Sequence, residues 1–209
     1  MASSSLERQS DPLGLREAKK RRARAALRSA GIELFEERGF AATRIVEITE
    51  RAQVSHATFF NYFAGKDGLF SDWLAYRIDT VFARCADDAA SAPLRPAVRR
   101  NLREFSAEFE RRPPWLQEAW SRCRVGALLE APRGAEALVK LAQERGDLRR
   151  DVSSAQLAGL LMVVLVGAVG EWLATETHEG PLHGHVLRAV DLVLDGARRR
   201  SERVRPRRS

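Results

Sequence analysis

Only two cysteines, Cys85 and Cys123, occur among 209 residues. That is too few for a disulfide framework and fits buried thiols in a reducing cytoplasm. With 14 glycines and 8 prolines the chain is neither collagenous nor loop-rich. Residues 1–22 contain no apolar stretch, so no secretory signal is expected. The longest uncharged run, Val152–Gly170, is 19 residues and holds Ser153, Ser154 and Gln156. A bilayer span needs ~20 mostly apolar residues, so this run reads as a buried helix. No segment alternates strictly between apolar and polar residues, which leaves no expected strands, and there is no internal repeat. Enzyme motifs are missing as well: no Gly-x-Ser-x-Gly, phosphate loop or Gly-x-Gly-x-x-Gly is present. His178, His183 and His185 sit in a Gly/Pro-containing stretch with only Glu176 and Glu179 near, which is not a metal-ligand pattern. No catalytic residue, metal or cofactor is expected.

What is present is a charged, helix-forming chain, 44% apolar and 30% charged. Its net charge of +7 is concentrated at the ends. Residues 1–28 hold eight basic against three acidic residues, and residues 196–209 hold seven arginines against Glu202, which leaves the body mildly acidic. Basic ends on an acidic body suggest a polyanion partner. Ala23, Leu27, Ala30 and Leu34 fall on one helix face, and Gly39 marks the end of that helix. Thr43 is a suitable N-cap for a second helix carrying Ile45 and Ile48, and Ser55 for a third running to about Phe63. Further helices follow to about Ala90, Arg112, Glu130, Arg145, Thr175 and Arg200. Asp151 or Ser153 caps the penultimate one. The chain is therefore predicted to be all-α with about nine helices.

Three short helices, the second and third joined by a three-residue turn, make a helix-turn-helix arrangement. In the third, Phe59 and Phe63 can face the core while His56, Thr58, Asn61 and Tyr62 point elsewhere. Polar groups without carboxylates suit hydrogen bonding to base edges and phosphates. Arg44 and Lys66 lie in the first turns of helices two and four, where the helix dipole disfavours a cation unless an anion joins it.

These residues resemble the DNA-binding domain of the TetR/AcrR family of bacterial transcriptional repressors. The likeness runs through Ala30–Phe40, Ala42–Ser55, Ala57–Phe63 and Lys66–Phe70. It implies that Thr43 and Arg44 touch phosphate, that His56, Ala57 and Asn61 face the major groove, and that Thr58 and Tyr62 hold phosphates or bases. Lys66 would hold a phosphate. The basic stretch Arg16–Arg24, with Lys19, Lys20, Arg21 and Arg22 at its centre, would follow the backbone or enter the minor groove. Three positions depart from the family pattern. Phe60 replaces a usual tyrosine and so lacks its hydroxyl, Gln53 replaces a turn glycine, and Thr49 replaces an alanine.

Beyond residue 75 the likeness is only in outline; it implies a helical domain that dimerises and binds a small effector. Small residues recur along helix eight at Ala155, Gly159, Val163, Gly167 and Gly170. Helix nine is apolar on more than one face through Val186, Leu187, Val190 and Leu194, so these two helices are expected to form a homodimer interface. Phe105, Phe109, Trp115, Trp120, Cys123 and Met162 form a candidate apolar effector chamber. The expected organisation is a disordered segment 1–15, a helix-turn-helix domain 16–65, an effector-binding and dimerisation domain 66–200, and a mobile basic tail 201–209. The function that follows is a cytoplasmic repressor released from a palindromic operator by a small, largely apolar effector. The alternatives are a DNA-binding regulator or architectural protein with no small-molecule ligand, and a helical enzyme or carrier with a degenerate helix-turn-helix.

Overall fold

The computed structural model describes residues 12–111, 113–123, 133–175 and 180–198. Among them are nine helices: α1 Pro12–Arg38, α2 Ile45–Arg51, α3 His56–Phe60, α4 Lys66–Ser91, α5 Leu94–Glu110, α6 Pro113–Ser121, α7 Arg133–Glu144, α8 Ser154–Ala174 and α9 Leu182–Gly196. The described residues contain no strand, only an isolated antiparallel bridge between Leu148 and Arg198. The all-α reading therefore holds. The chain divides into two compact units, one ending at Phe70 and one starting at Ser71, with the division inside α4.

Several boundaries differ from the sequence reading. Helix α1 starts at Pro12, inside the stretch expected to be disordered. Proline suits a first helical position because its missing N–H would have no partner there. Helix α3 stops at Phe60 rather than Phe63, and α9 starts at Leu182. Helix α7 includes Gly134 rather than following it. The expected extension of α6 to Glu130, His178 and the basic tail 201–209 lie outside the described residues.

In the N-terminal unit α1 packs on α2 and α2 on α3. The core consists of Leu27, Leu34, Phe35, Phe40, Ile48, Phe59, Leu69 and Phe70, all fully buried. Gly39 adopts φ +86°, the left-handed conformation that ends α1, and its N–H reaches Phe35 O at 2.9 Å.

In the C-terminal unit α8 is central and packs on α6, α7 and α9, while α9 also packs on α5. Ser153 caps α8: its hydroxyl accepts from Gln156 N at 3.2 Å, and Gln156 Oε1 accepts from Ser153 N at 3.2 Å. Helix α8 is long and apolar enough to cross a membrane. Ten of its residues, from Leu157 to Leu173, are nevertheless buried in this helical core. The α5–α9 contact is laced by Arg95 and Arg99 on Asp191, at 3.2 and 2.8 Å.

A close backbone approach occurs at Gly134. A Cβ there would lie 2.2 Å from Asp79 O and 2.7 Å from Ala83 N, both backbone atoms of α4, and Gly134 N donates to Asp79 Oδ1 at 2.6 Å. Neither backbone atom can swing aside as a side-chain end can. Gly134→Ala is expected to destabilise the C-terminal unit by about 2–3 kcal/mol, read from urea unfolding. Wild-type stability for that variant would mean that α4 and α7 are further apart.

Candidate functional site

The N-terminal unit presents α3 on a scaffold fixed by three local devices. The first is the start of α2. Arg44, not Thr43, is its N-cap, and Arg44 N donates to Glu47 Oε2 at 2.9 Å. The Arg44 backbone N–H and then its guanidinium hold the Glu47 carboxyl below the usual carboxylate range. Arg44 remains exposed, with its guanidinium 3.2 Å from Glu47.

The second device is the turn. Gln53 occupies it at φ +54°, the left-handed region that a non-glycine residue enters at a cost. The side chain is exposed. Gln53→Gly should therefore stabilise the unit by about 1 kcal/mol, seen as a higher urea midpoint; a lower midpoint would contradict strain at this turn. The third device is Ser55, whose hydroxyl accepts from Thr58 N at 3.1 Å and lies 2.8 Å from Thr58 Oγ1.

On this scaffold His56, Ala57, Phe60 and Asn61 are exposed, and Thr58 and Tyr62 are half-buried. Asn61 and Tyr62 lie just past the end of α3, with Tyr62 N bonded to Phe59 O at 3.0 Å. Lys19, Lys20, Arg21 and Arg22 are exposed along the first half of α1, as part of the helix rather than an extended arm. Lys20 pairs with Glu17 at 2.9 Å. The face thus carries donors and cations, and the six α3-region residues include no carboxylate.

Two expected phosphate contacts also bond within the fold. Thr43 is 1% exposed, and its hydroxyl lies 2.8 Å from Gly39 O and 3.2 Å from Leu34 O. Lys66 Nζ donates to Phe40 O at 2.6 Å, Thr43 O at 2.7 Å and Ala41 O at 3.1 Å, and sits 5.0 Å from the Phe40 ring centroid. An ammonium has three N–H bonds, and here all three are directed at the loop between α1 and α2. These loop carbonyls supply the negative partner that the α4 dipole denies to Lys66. Thr49 is likewise buried, its hydroxyl donating to Val46 O at 2.9 Å.

In the C-terminal unit most of the expected chamber residues pack as core. Phe105, Phe109, Trp115 and Met162 are buried. Trp73, not anticipated from the sequence, joins them with its ring 5.6 Å from Phe109 and 6.1 Å from Trp115. Phe105 and Phe109 are 4.5 Å apart. Trp120 is half-buried and lies against Gly170, where an added Cβ would meet its ring at 3.0 Å. Cys123 Sγ is 3.3 Å from Ser71 Oγ. Cys85 is buried, and desolvation pushes its thiol up to about 12. A cavity of about 370 Å³ lies between Pro93–Pro96, Asp147, Leu148, Leu194 and Arg198, and one of about 160 Å³ is lined by Phe105 with Arg77, Arg84, Asn101, Glu104 and Glu108.

The expected dimer residues separate into two groups. Val186, Val190 and Leu194 are buried within their own chain, and Gly170 is half-buried against Trp120. Gly159, Val163 and Gly167 lie on the open side of α8; a Cβ at either glycine would meet nothing within 4 Å. Leu187 is half-buried. Sequence reasoning missed Leu160 and Leu192, which are 51% and 74% exposed. Apolar residues cover more than one face of both helices, so periodicity alone does not say which face is inside.

Residues 27–72 match the family model of bacterial regulatory proteins, tetR family. No curated protein matches significantly. Among solved structures the chain is similar to Thermus thermophilus FadR, a TetR-family transcriptional repressor in complex with lauroyl-CoA, with TM-score 0.65 and 23% identity over 87% of this chain and 98% of that one. A TetR transcriptional regulator from Rhodococcus sp. RHA1 gives TM-score 0.57 and 22% identity over 85% and 98%. RolR in complex with resorcinol gives 0.59 and 18% over 86% and 89%. The helix-turn-helix unit thus matches the tetR family model by sequence, and 87% of the chain shares the fold of T. thermophilus FadR.

Proposed function

We propose that the protein is a cytoplasmic repressor that binds a palindromic operator as a homodimer and leaves it on binding a small apolar effector. The observation that carries the DNA reading is that His56, Ala57 and Asn61 are exposed with no carboxylate among them, in a unit whose first helix exposes Lys19–Arg22. His56, Ala57 and Asn61 read base edges in the major groove, while Arg44, Thr58, Tyr62 and Lys19–Arg22 hold phosphate. Thr43 and Lys66 are left out of this contact set because their donors serve the fold. Sequencing genomic DNA captured by the purified protein should recover an inverted repeat. His56→Ala and Asn61→Ala should weaken binding to it without altering unfolding. Capture with no enriched sequence would end this reading.

The effector site is placed at Phe105, Phe109, Trp115, Trp120, Cys123 and Met162, beside Trp73. The lauroyl-CoA bound to T. thermophilus FadR and the resorcinol bound to RolR, on the same fold, support an apolar or aromatic effector class. Phe105, Phe109, Trp115 and Met162 are buried here, so an effector seated among them must favour a rearranged state over this one; only differential affinity shifts the equilibrium. Trp73 belongs to α4, the helix that continues from the DNA-binding unit.

A further inference from the structure

Phe60 is the one large apolar side chain among the exposed residues of α3, 49% exposed in a helix of five residues. Its ring is not loose. The His56 ring meets it edge-on at 5.0 Å, one turn earlier, and the buried Phe59 ring meets it at 5.4 Å and 76°. Phe59 is itself fixed in the core, with Phe63 at 5.5 Å. The exposed ring therefore has a defined orientation, set by His56 and Phe59, on the helix that also exposes Ala57. It carries no hydroxyl, so it cannot donate to a phosphate or a base.

An apolar ring held at a DNA-binding surface gains most where it buries itself against an apolar group of the DNA. The major groove of B-DNA offers one such group, the C5 methyl of thymine; the other groups on its base edges are hydrogen-bond donors and acceptors. We propose that Phe60 is a specificity residue that selects thymine in each half-site by contact with its C5 methyl. This rests on the DNA-binding reading above and adds to it a base preference and the residue that makes it.

The test uses the inverted repeat recovered by genomic capture, with each thymine replaced singly by deoxyuridine. That change deletes the methyl and leaves base pairing intact. Replacing one particular thymine in each half-site should weaken binding of the native protein about fourfold per half-site, the worth of one buried methyl. Phe60→Ala should bind thymine and deoxyuridine duplexes equally, and Phe60→Leu should keep a reduced preference. Matching thermal unfolding of the three proteins shows that the change is local. A native protein indifferent to deoxyuridine at every thymine would overturn the proposal while leaving DNA binding intact. So would an undiminished deoxyuridine penalty in Phe60→Ala. Failure to recover any site would overturn the DNA-binding reading itself.

Discussion

Lys66→Met should cost the DNA-binding unit about 3–5 kcal/mol of stability. Methionine keeps the length and apolar bulk of the stem but removes the ammonium. Three carbonyls, Phe40 O, Ala41 O and Thr43 O, then lose a charged donor at 2.6–3.1 Å. Hydrogen bonds to a charged group are each worth about 1.5–3 kcal/mol net. The total is less than three times that, because the exposed Ala41 carbonyl regains water. A small domain has roughly 3–5 kcal/mol in all, so the loss takes most of the margin. Urea unfolding followed by a signal from the N-terminal unit measures it. The competing role, a phosphate contact, makes the opposite forecast: stability unchanged and the salt dependence of operator binding reduced by ~1 per half-site. Unchanged unfolding with a shallower salt slope would return Lys66 to the DNA interface.

Lys66 also shows what sequence can and cannot give. Its position at the start of α4, against the dipole, was a legible signal that a negative partner exists. Which partner it was, a phosphate or a loop 23 to 26 residues earlier, depended on the path of the chain between α1 and α2. Thr43 failed in the same way, since a threonine before a helix can cap it or bond backward, and here Arg44 took the cap. Local signals fared better. Gly39 ended α1, Ser55 capped α3 and Ser153 capped α8, because each acts on backbone within a few residues of itself. Gln53 was recognised as standing in a glycine position, and its φ of +54° explains why glycine is favoured there. The Trp73 ring beside Phe109 and Trp115 was not expected. That contact brings α4 against α5 and α6, a tertiary fact with no periodic trace in the sequence.

The face of α8 that remains open gives the second large effect. Gln156, Leu160, Val163, Gly167 and Glu171 are all exposed, and they follow one another at four, three, four and four residues, which is a single helix face. Leu160 and Val163 form the apolar centre of that stripe, each half exposed, and Leu192 on α9 is 74% exposed. Gly159 and Gly167 flank the centre with open space above them, so a second helix can come close to the α8 backbone. A Val163→Glu/Leu192→Glu variant buries no new group in the free chain, so the monomer should fold with an unchanged unfolding curve. In a dimer the same carboxylates would face a closely packed partner, at several kcal/mol of desolvation per ion. The variant should therefore sediment as a monomer. One helix-turn-helix reads one half-site, so losing the tether between the two should weaken operator binding by about 100-fold or more. Leu194→Ala is the contrasting change. It should cost about 2–3 kcal/mol of stability, because Leu194 is buried within its own chain, and it should leave the dimer in place. A glutamate variant that stays dimeric and keeps full operator affinity would place the subunit contact on another surface.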